Sequence, residues 1–363
     1  MSKVKILYTI PNFDTAGSGK VVYDLVKGLD KDKFEVEVAC RHNKGAFFKE
    51  IESLNVPIHL IETTCAYRPY TSLYKRLRPI VKFFKENKYD IIHSWHWSSD
   101  WTEVLAARLA GVKWIYTKKA MSWGNKHWKI RSYLANLIIT INDEMHQYFP
   151  NKKNQALIPL GIDTAYYNPN HFSKSTNQDG HFNIITVANL VPVKGVEILI
   201  HALKELNNTN LKLTVLGDNT NEYGAYLLSL CEELKLLDQV NFLGKKLDVR
   251  PYIVDSDLYV IPTIGKGEGM PMALVEAMSM GIPVLGSDIS GINFVLKDFK
   301  SLLFEAGNYL ELSKAIKDIQ SRSFEDRQQL GTKLRNYILN NYSYDRFIEA
   351  HQKLYKDLVK RNP

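Results

Sequence analysis

The sequence predicts an α/β protein built from two successive parallel sheets, each covered by helices. Three observations predict it. Strand-like and helix-like segments alternate along the whole chain. The strand candidates form two comparable sets, residues 4–10, 34–39, 58–61, 90–94, 113–117, 137–141 and 156–159, then 182–187, 212–217, 240–243, 257–262, 283–286 and 301–304. Between the sets, residues 164–180 are polar and turn-rich, the natural place for a linker. Two Rossmann-like halves follow, residues 1–164 and 165–343. Residues 344–360 carry Phe347, His351, Leu354, Tyr355 and Leu358 at helical spacing, so the chain ends in an amphipathic helix.

With 363 residues, each half has enough chain for its own core. No apolar run reaches the length of a membrane span, and the chain opens directly into a strand with no cleavable signal. Cys40, Cys65 and Cys231 are odd in number and far apart, which argues against a disulfide framework or a zinc site and fits a reducing cytosol. Charge divides unevenly: residues 1–165 hold 25 Lys and Arg against 16 Asp and Glu, and the remainder 22 against 23. The densest basic stretch, 73–88, sets Leu73, Leu77, Ile80, Val81 and Phe84 on one helical stripe with cations around it. Such a helix packs its stripe on a sheet or lies on an anionic membrane surface, and both can hold together. Nucleic acid is not expected as a partner, because no binding-module signature is visible.

The richest segment for chemistry runs Glu268-Gly269-Met270-Pro271-Met272-Ala273 and on to Glu276, Gly281 and Pro283. Pro271 suits a first helical position, and Gly281 with Pro283 stops the helix. Glu268 then lies in a strand-to-helix loop and Glu276 within the helix. The first turn offers free N–H groups and a partial positive charge, an anion site apt for phosphate. A phosphate would repel both carboxylates, which are suited instead to hydroxyls on its two flanks. That pattern describes a nucleotide-sugar, with ribose on one side and hexose on the other.

This segment resembles the E-x7-E signature of family 4 retaining glycosyltransferases, which have the two-domain GT-B fold. The resemblance extends, in order, to Leu157 through Asp163, to Val187 through Leu203 with Lys194 and Gly195, to Gly217-Asp218, and to the strand ending at Gly244. It implies a hexose moved from a nucleotide diphosphate sugar to a hydroxyl acceptor, in cell-envelope polysaccharide or glycolipid synthesis, without a bound metal or cofactor. It implies a C-terminal helix, within 344–363, that crosses back to the N-terminal domain. It assigns the donor to Gly17, Ser18, Gly19, Asn189, Lys194, Gly217, Gly244, Lys245, Glu268, Gly269, Met270, Pro271, Met272, Ala273 and Glu276. Lys194 and the backbone at 270–273 would neutralise phosphate, Glu268 would hold hexose hydroxyls, and Glu276 the ribose diol. A 2-epimerase of the same architecture and a non-catalytic binding protein stay open as alternatives.

The loop leading to Gly17-Ser18-Gly19-Lys20 is not a P-loop, since Asp14 and Val21 stand where glycine and Ser/Thr are required. It reads as a small-residue turn at a helix start that lets a ligand approach the backbone, or as a tight turn capped by Ser18. On the acceptor side, all six tryptophans fall between residues 95 and 128. His93, Trp95 and His96 follow one strand end, and Lys118, Lys119 and Trp123 the next, where α/β proteins build sites. These six are the expected acceptor contacts, with Lys119 also expected in catalysis beside Lys194 and Glu268. Trp114, within a strand, is expected in the core. A metal at His93 and His96 is not expected, for want of a third ligand. Three departures stand out. Thr117-Lys118-Lys119 replaces the family's Thr-x-His, putting a permanent charge where a titratable imidazole is usual. Asn189 replaces an arginine, and Met270-Pro271 replaces Phe-Gly.

Overall fold

The computed structural model of the chain describes residues 3–14, 16–121, 124–173, 180–265 and 268–360. They form two compact units. The first holds the chain through Gly161 together with the C-terminal helix Tyr344–Lys360, and the second holds Ile162 through Ser343. The division thus falls three residues before the expected one. Ile162 pairs with Ser343 as an isolated bridge, and its N–H donates to Tyr342 O at 2.8 Å. Part of the expected linker is also held by the second unit: Tyr167 O accepts from Ser279 Oγ and Arg335 Nη1, each at 2.9 Å.

The first unit is a seven-stranded parallel sheet of β1 (Val4–Thr9), β2 (Phe34–Cys40), β3 (Ile58–Leu60), β4 (Ile91–Ser94), β5 (Lys113–Lys118), β6 (Leu137–Thr140) and β7 (Gln155–Leu157). Their order is β3-β2-β1-β4-β5-β6-β7. The second is a six-stranded parallel sheet of β8 (Phe182–Val187), β9 (Leu211–Leu216), β10 (Val240–Phe242), β11 (Leu258–Ile261), β12 (Val284–Ser287) and β13 (Leu303–Phe304). Here the order is β10-β9-β8-β11-β12-β13. Central strands such as β4, β6, β11 and β12 are buried along their whole length, as β-branched runs covered on both faces must be. In each sheet the strand order reverses once, at β1/β4 and at β8/β11. Those reversals open the crevices where α/β sheets bind ligands.

The helix Leu73–Asn87 turns Leu77, Ile80 and Phe84 into the first core. Lys75, Arg78, Lys82 and Lys85 remain exposed, as does Tyr74 at 68%. Arg76 does not share that exposed role. It braces the preceding loop, donating to Ala66 O, Pro69 O and Ser72 Oγ.

The C-terminal helix is fastened to the first sheet by buried polar groups. Tyr355 Oη lies 2.9 Å from Tyr8 Oη and 2.7 Å from His93 Nδ1, and His93 Nε2 lies 2.9 Å from Thr117 Oγ1. His351 stacks on His93 at 5.8 Å and donates from Nδ1 to Phe347 O. Burial pushes His351 down to about 4. An unfolded chain therefore takes up this proton first, and stability falls as pH drops from about 6.5 toward 4. His351→Phe keeps the ring and removes the titration. Between pH 7 and 4.5 it is expected to lose about 2 kcal/mol less than the wild type, measured by urea unfolding at both values. Equal losses in the two proteins would refute this assignment.

Candidate active site

At the end of β8 the chain makes the turn Pro192–Lys194 and enters the helix Val196–Leu206 through Gly195. Gly195 has φ +61, and a Cβ there would meet Pro262 O at 2.2 Å, so the turn presses directly on the end of β11. Ile264 N donates to Val193 O at 2.8 Å and seals that contact. The result brings Lys194 to the loop after β11. Its ammonium pairs with Glu268 Oε1, and Thr263 Oγ1 donates to the same oxygen at 3.1 Å.

Asn189, Lys194, Glu268, Pro271, Met272 and Ala273 share one pocket of about 180 Å³ with Thr186, Ala188 and Thr263. It sits beyond the ends of β8 and β11 at the start of the helix Met272–Ser279, whose first turn supplies the partial positive charge. Pro271 is the residue before the helix rather than its first member, with ψ 90. Gly269 backs onto Gly291, where a Cβ would lie 2.9 Å from Gly269 O. Met270 is buried at 7% exposure and is not among the residues that line the pocket. Gly217 N donates to Gly244 O at 3.1 Å, joining the ends of β9 and β10, and Lys245 beyond them is exposed. Glu276 lies further along the helix, half-buried, and accepts from the Tyr167 hydroxyl. Burial and that carboxylate hold the phenol well above its ordinary range.

The sequence assigns Lys194 to phosphate and Glu268 to sugar hydroxyls as separate groups. Here they form one pair, with Glu268 only 8% exposed. Thr263 and Tyr167 escaped the sequence reading. Thr263 at the end of a strand carries a usable signal, whereas nothing in the chain marks Tyr167 as the partner of Glu276.

In the first unit the acceptor-side expectations divide. His93 and Trp95 are fully buried, and His93 is spent on Tyr355 and Thr117. His96 is buried too, 3.2 Å from Thr63 Oγ1 and 3.6 Å from Glu103, and burial lowers its pKa. All three are buried rather than exposed to a ligand, His93 because central β4 is covered on both faces, and Trp95 and His96 because the segment just after β4 is packed over as well. Trp114 is core as expected. Trp123 lies outside the described residues. Trp97 is the ring left 53% exposed beside them.

Lys119 Nζ donates to Ser18 Oγ at 2.9 Å and to Trp95 O at 2.6 Å, with the Trp95 and Trp97 rings each 5.5 Å away. Lys118 lies over Trp128 at 4.1 Å. Burial, then the charge of Arg131, pushes both lysines down to about 7. The permanent charge expected at Lys118 and Lys119 is thus replaced by a titratable one. Gly17 breaks the helix start at φ −16 and ψ −105. Gly19 serves internal packing rather than ligand approach, since a Cβ would meet Phe13 at 3.0 Å and Phe47 at 3.2 Å. Lys20 is paired with Asp24.

The chain resembles the crystal structure of Anabaena Alr3699/HepE in complex with UDP and glucose at a TM-score of 0.79 and 18% identity, over 97% of this chain and 99% of that one. The fold is therefore the two-unit GT-B architecture. Residues 15–166 match the model for Glycosyltransferase Family 4, and residues 168–337 that for Glycosyl transferases group 1. The chain belongs to glycosyltransferase family 4. Among its relatives is the capsular polysaccharide biosynthesis glycosyltransferase CapH of Staphylococcus aureus, 25% identical over 323 residues, covering 83% of this chain and 86% of CapH. Another is the UDP-Gal:alpha-D-GlcNAc-diphosphoundecaprenol alpha-1,3-galactosyltransferase of Escherichia coli, 23% identical over 393 residues, covering 99% and 98%.

Proposed function

We propose that the protein is a retaining hexosyltransferase that moves a sugar from a nucleoside diphosphate sugar to a hydroxyl of a lipid-linked, cell-envelope glycan. The observation that carries this is the Lys194–Glu268 pair, with Thr263, at the N-terminal end of the helix Met272–Ser279. A diphosphate entering there meets the helix dipole and can draw Lys194 away from Glu268. Glu268, released, accepts hydrogen bonds from hexose hydroxyls, while Glu276 with Tyr167 holds the ribose diol. Glu268 is tied to a cation and a threonine rather than standing free as a nucleophile. The family resemblance then favours departure and attack on one face of an oxocarbenium-like ion pair, the chain supplying charge stabilisation and orientation. No divalent metal takes part, so transfer should persist in EDTA.

The activity of the Escherichia coli relative and the ligands of the Anabaena structure support a polyprenyl-diphosphate-linked acceptor and a UDP-sugar donor. Lys75, Arg78, Lys82 and Lys85 beside exposed Tyr70 and Tyr74 support docking on the anionic inner face of a membrane, with the apolar stripe kept in the core. Among the described residues no helix is long and apolar enough to cross a membrane.

Thermal shifts with UDP-, GDP-, ADP- and dTDP-sugars test the donor, since a bound ligand stabilises the native state. The matching donor should raise the melting temperature in the wild type. Glu276→Ala should lose most of that shift, and an unchanged shift would remove Glu276 from the nucleotide site. The anomeric coupling in the product's proton spectrum then decides retention. Inversion, or free sugar released as readily without acceptor, would overturn the proposal.

A further inference from the structure

Three segments that follow different strands meet at a single nitrogen. Ser18 stands at the kinked start of the helix Ala16–Gly28 after β1, Trp95 follows β4, and Lys119 follows β5. Lys119 Nζ donates to the hydroxyl of the first at 2.9 Å and to the backbone carbonyl of the second at 2.6 Å. On its inner side this helix start is packed closely, a Cβ at Gly19 meeting Phe13 at 3.0 Å and Phe47 at 3.2 Å. Its outer side is different. The non-helical Gly17 leaves Ser18 at an unfinished helix start, and the ammonium is what its hydroxyl reaches. The same ammonium lies 5.5 Å from both the buried Trp95 ring and the exposed Trp97 ring.

We propose that Lys119 is a positioning residue, a latch that fixes the kinked helix start 17–19 to the end of β4 and so presents that helix start and Trp97 to substrate as one rigid surface. The inference rests on the glycosyltransferase reading for its catalytic consequence, though not for its geometry. The tether outlives the charge. An ammonium that loses a proton keeps two N–H groups, enough for Ser18 Oγ and Trp95 O together. The charged and titratable groups around the latch are Lys118 and Arg131, whose charges depress it, and His93 and His96, which feel its own. Behind these stand His351 and Tyr355 on the C-terminal helix, and Glu103 and Glu62 beside His96. With Nζ titrating at about 7, the latch changes charge near neutrality while holding its place.

Three variants test this: Lys119→Met, Ser18→Ala and the double variant. Misplacing a substrate-facing segment by about 1 Å costs roughly 100-fold in turnover, so Lys119→Met should lower kcat by about that factor while the donor KM stays within about threefold. Ser18→Ala should lower kcat less, and the double variant should be no worse than Lys119→Met alone, because both remove one interaction. The same non-additivity should appear in the melting temperatures, which need no substrate. In a Lys118→Met background, which removes the second lysine held near 7 over Trp128, tryptophan emission of the ligand-free protein should show a transition near pH 7 that vanishes when Lys119→Met is added and survives with Ser18→Ala. Multiplying effects in the double variant, or an emission transition that persists without Lys119, would overturn the latch. If the wild type transfers no sugar at all, the glycosyltransferase reading fails by itself, and the emission and melting data still decide the latch.

Discussion

Lys194→Ala is expected to lower kcat by about 100- to 1000-fold at saturating donor, the scale of removing one preorganised electrostatic group from a site of developing charge. The loss has two parts. The leaving diphosphate forfeits its cation, and Glu268, 8% exposed, keeps a negative charge that then faces the same diphosphate. The second part can be separated from the first. Lys194→Met with Glu268→Gln removes the pair as a whole, so it should recover most of any melting temperature lost by Lys194→Met while turnover stays low. A neutral glutamine still offers an acceptor to Thr263 but no longer repels phosphate. If Lys194→Ala turned over at the wild-type rate, the pair would be a structural salt bridge and the pocket's chemistry would have to lie elsewhere.

The pocket at the start of the helix Met272–Ser279, which we propose holds the donor, was legible in the chain because its information is local. Glu268, the helix start and the Gly281 stop lie within one strand-loop-helix unit, and Glu276 keeps its helical register to them. What was not legible is the 74-residue jump that brings Lys194 onto Glu268, since neither segment carries a mark of its distance from the other. The acceptor half shows the opposite balance. The rule that sites gather beyond strand ends pointed to His93, Trp95 and His96, but all three are buried, and His93 is covered from far along the chain. Tyr355, on the last helix, takes the hydrogen bond of His93. Lys118 and Lys119 read as permanent charges on the acceptor side, and only burial, then the charge of Arg131, depresses them to about 7. Both parallel units followed from alternation and strand spacing, whereas the strand order within each sheet did not. The unit boundary moved because Ile162 and Tyr342 pair across a sequence separation that no local pattern encodes.

Arg131 escaped the sequence reading altogether, being one cation among several on a short helix, and its replacement should produce the largest stability loss. Arg131→Met is expected to destabilise the first unit by about 3–5 kcal/mol, the cost of stripping the compensating charge from a buried carboxylate. The guanidinium is fully buried. It donates to Ser98 O at 2.8 Å, Asp100 O at 3.1 Å and Ser94 Oγ at 3.1 Å, and lies 5.0 Å from the Trp114 and Tyr116 rings. Its charge is answered by Glu103, equally buried, which accepts from Thr63 Oγ1 and Ser94 Oγ at 2.6 Å each and from Trp114 Nε1 at 3.2 Å. Lysine cannot serve in its place, because a single ammonium lacks the planar fork that reaches several acceptors of the 94–100 loop at once. Arg131→Lys should therefore recover little, whereas adding Glu103→Gln to Arg131→Met should recover part of the loss by removing the orphaned charge. The measurement is selective. Every tryptophan of the chain lies between residues 95 and 128, so urea unfolding followed by tryptophan emission reports the first unit alone. Its midpoint should fall in Arg131→Met while far-ultraviolet dichroism still shows the second unit unfolding where it does in the wild type. An unchanged emission midpoint would mean that the buried pair contributes nothing net, and that the loop carrying Trp95 and Trp97 is held by packing alone.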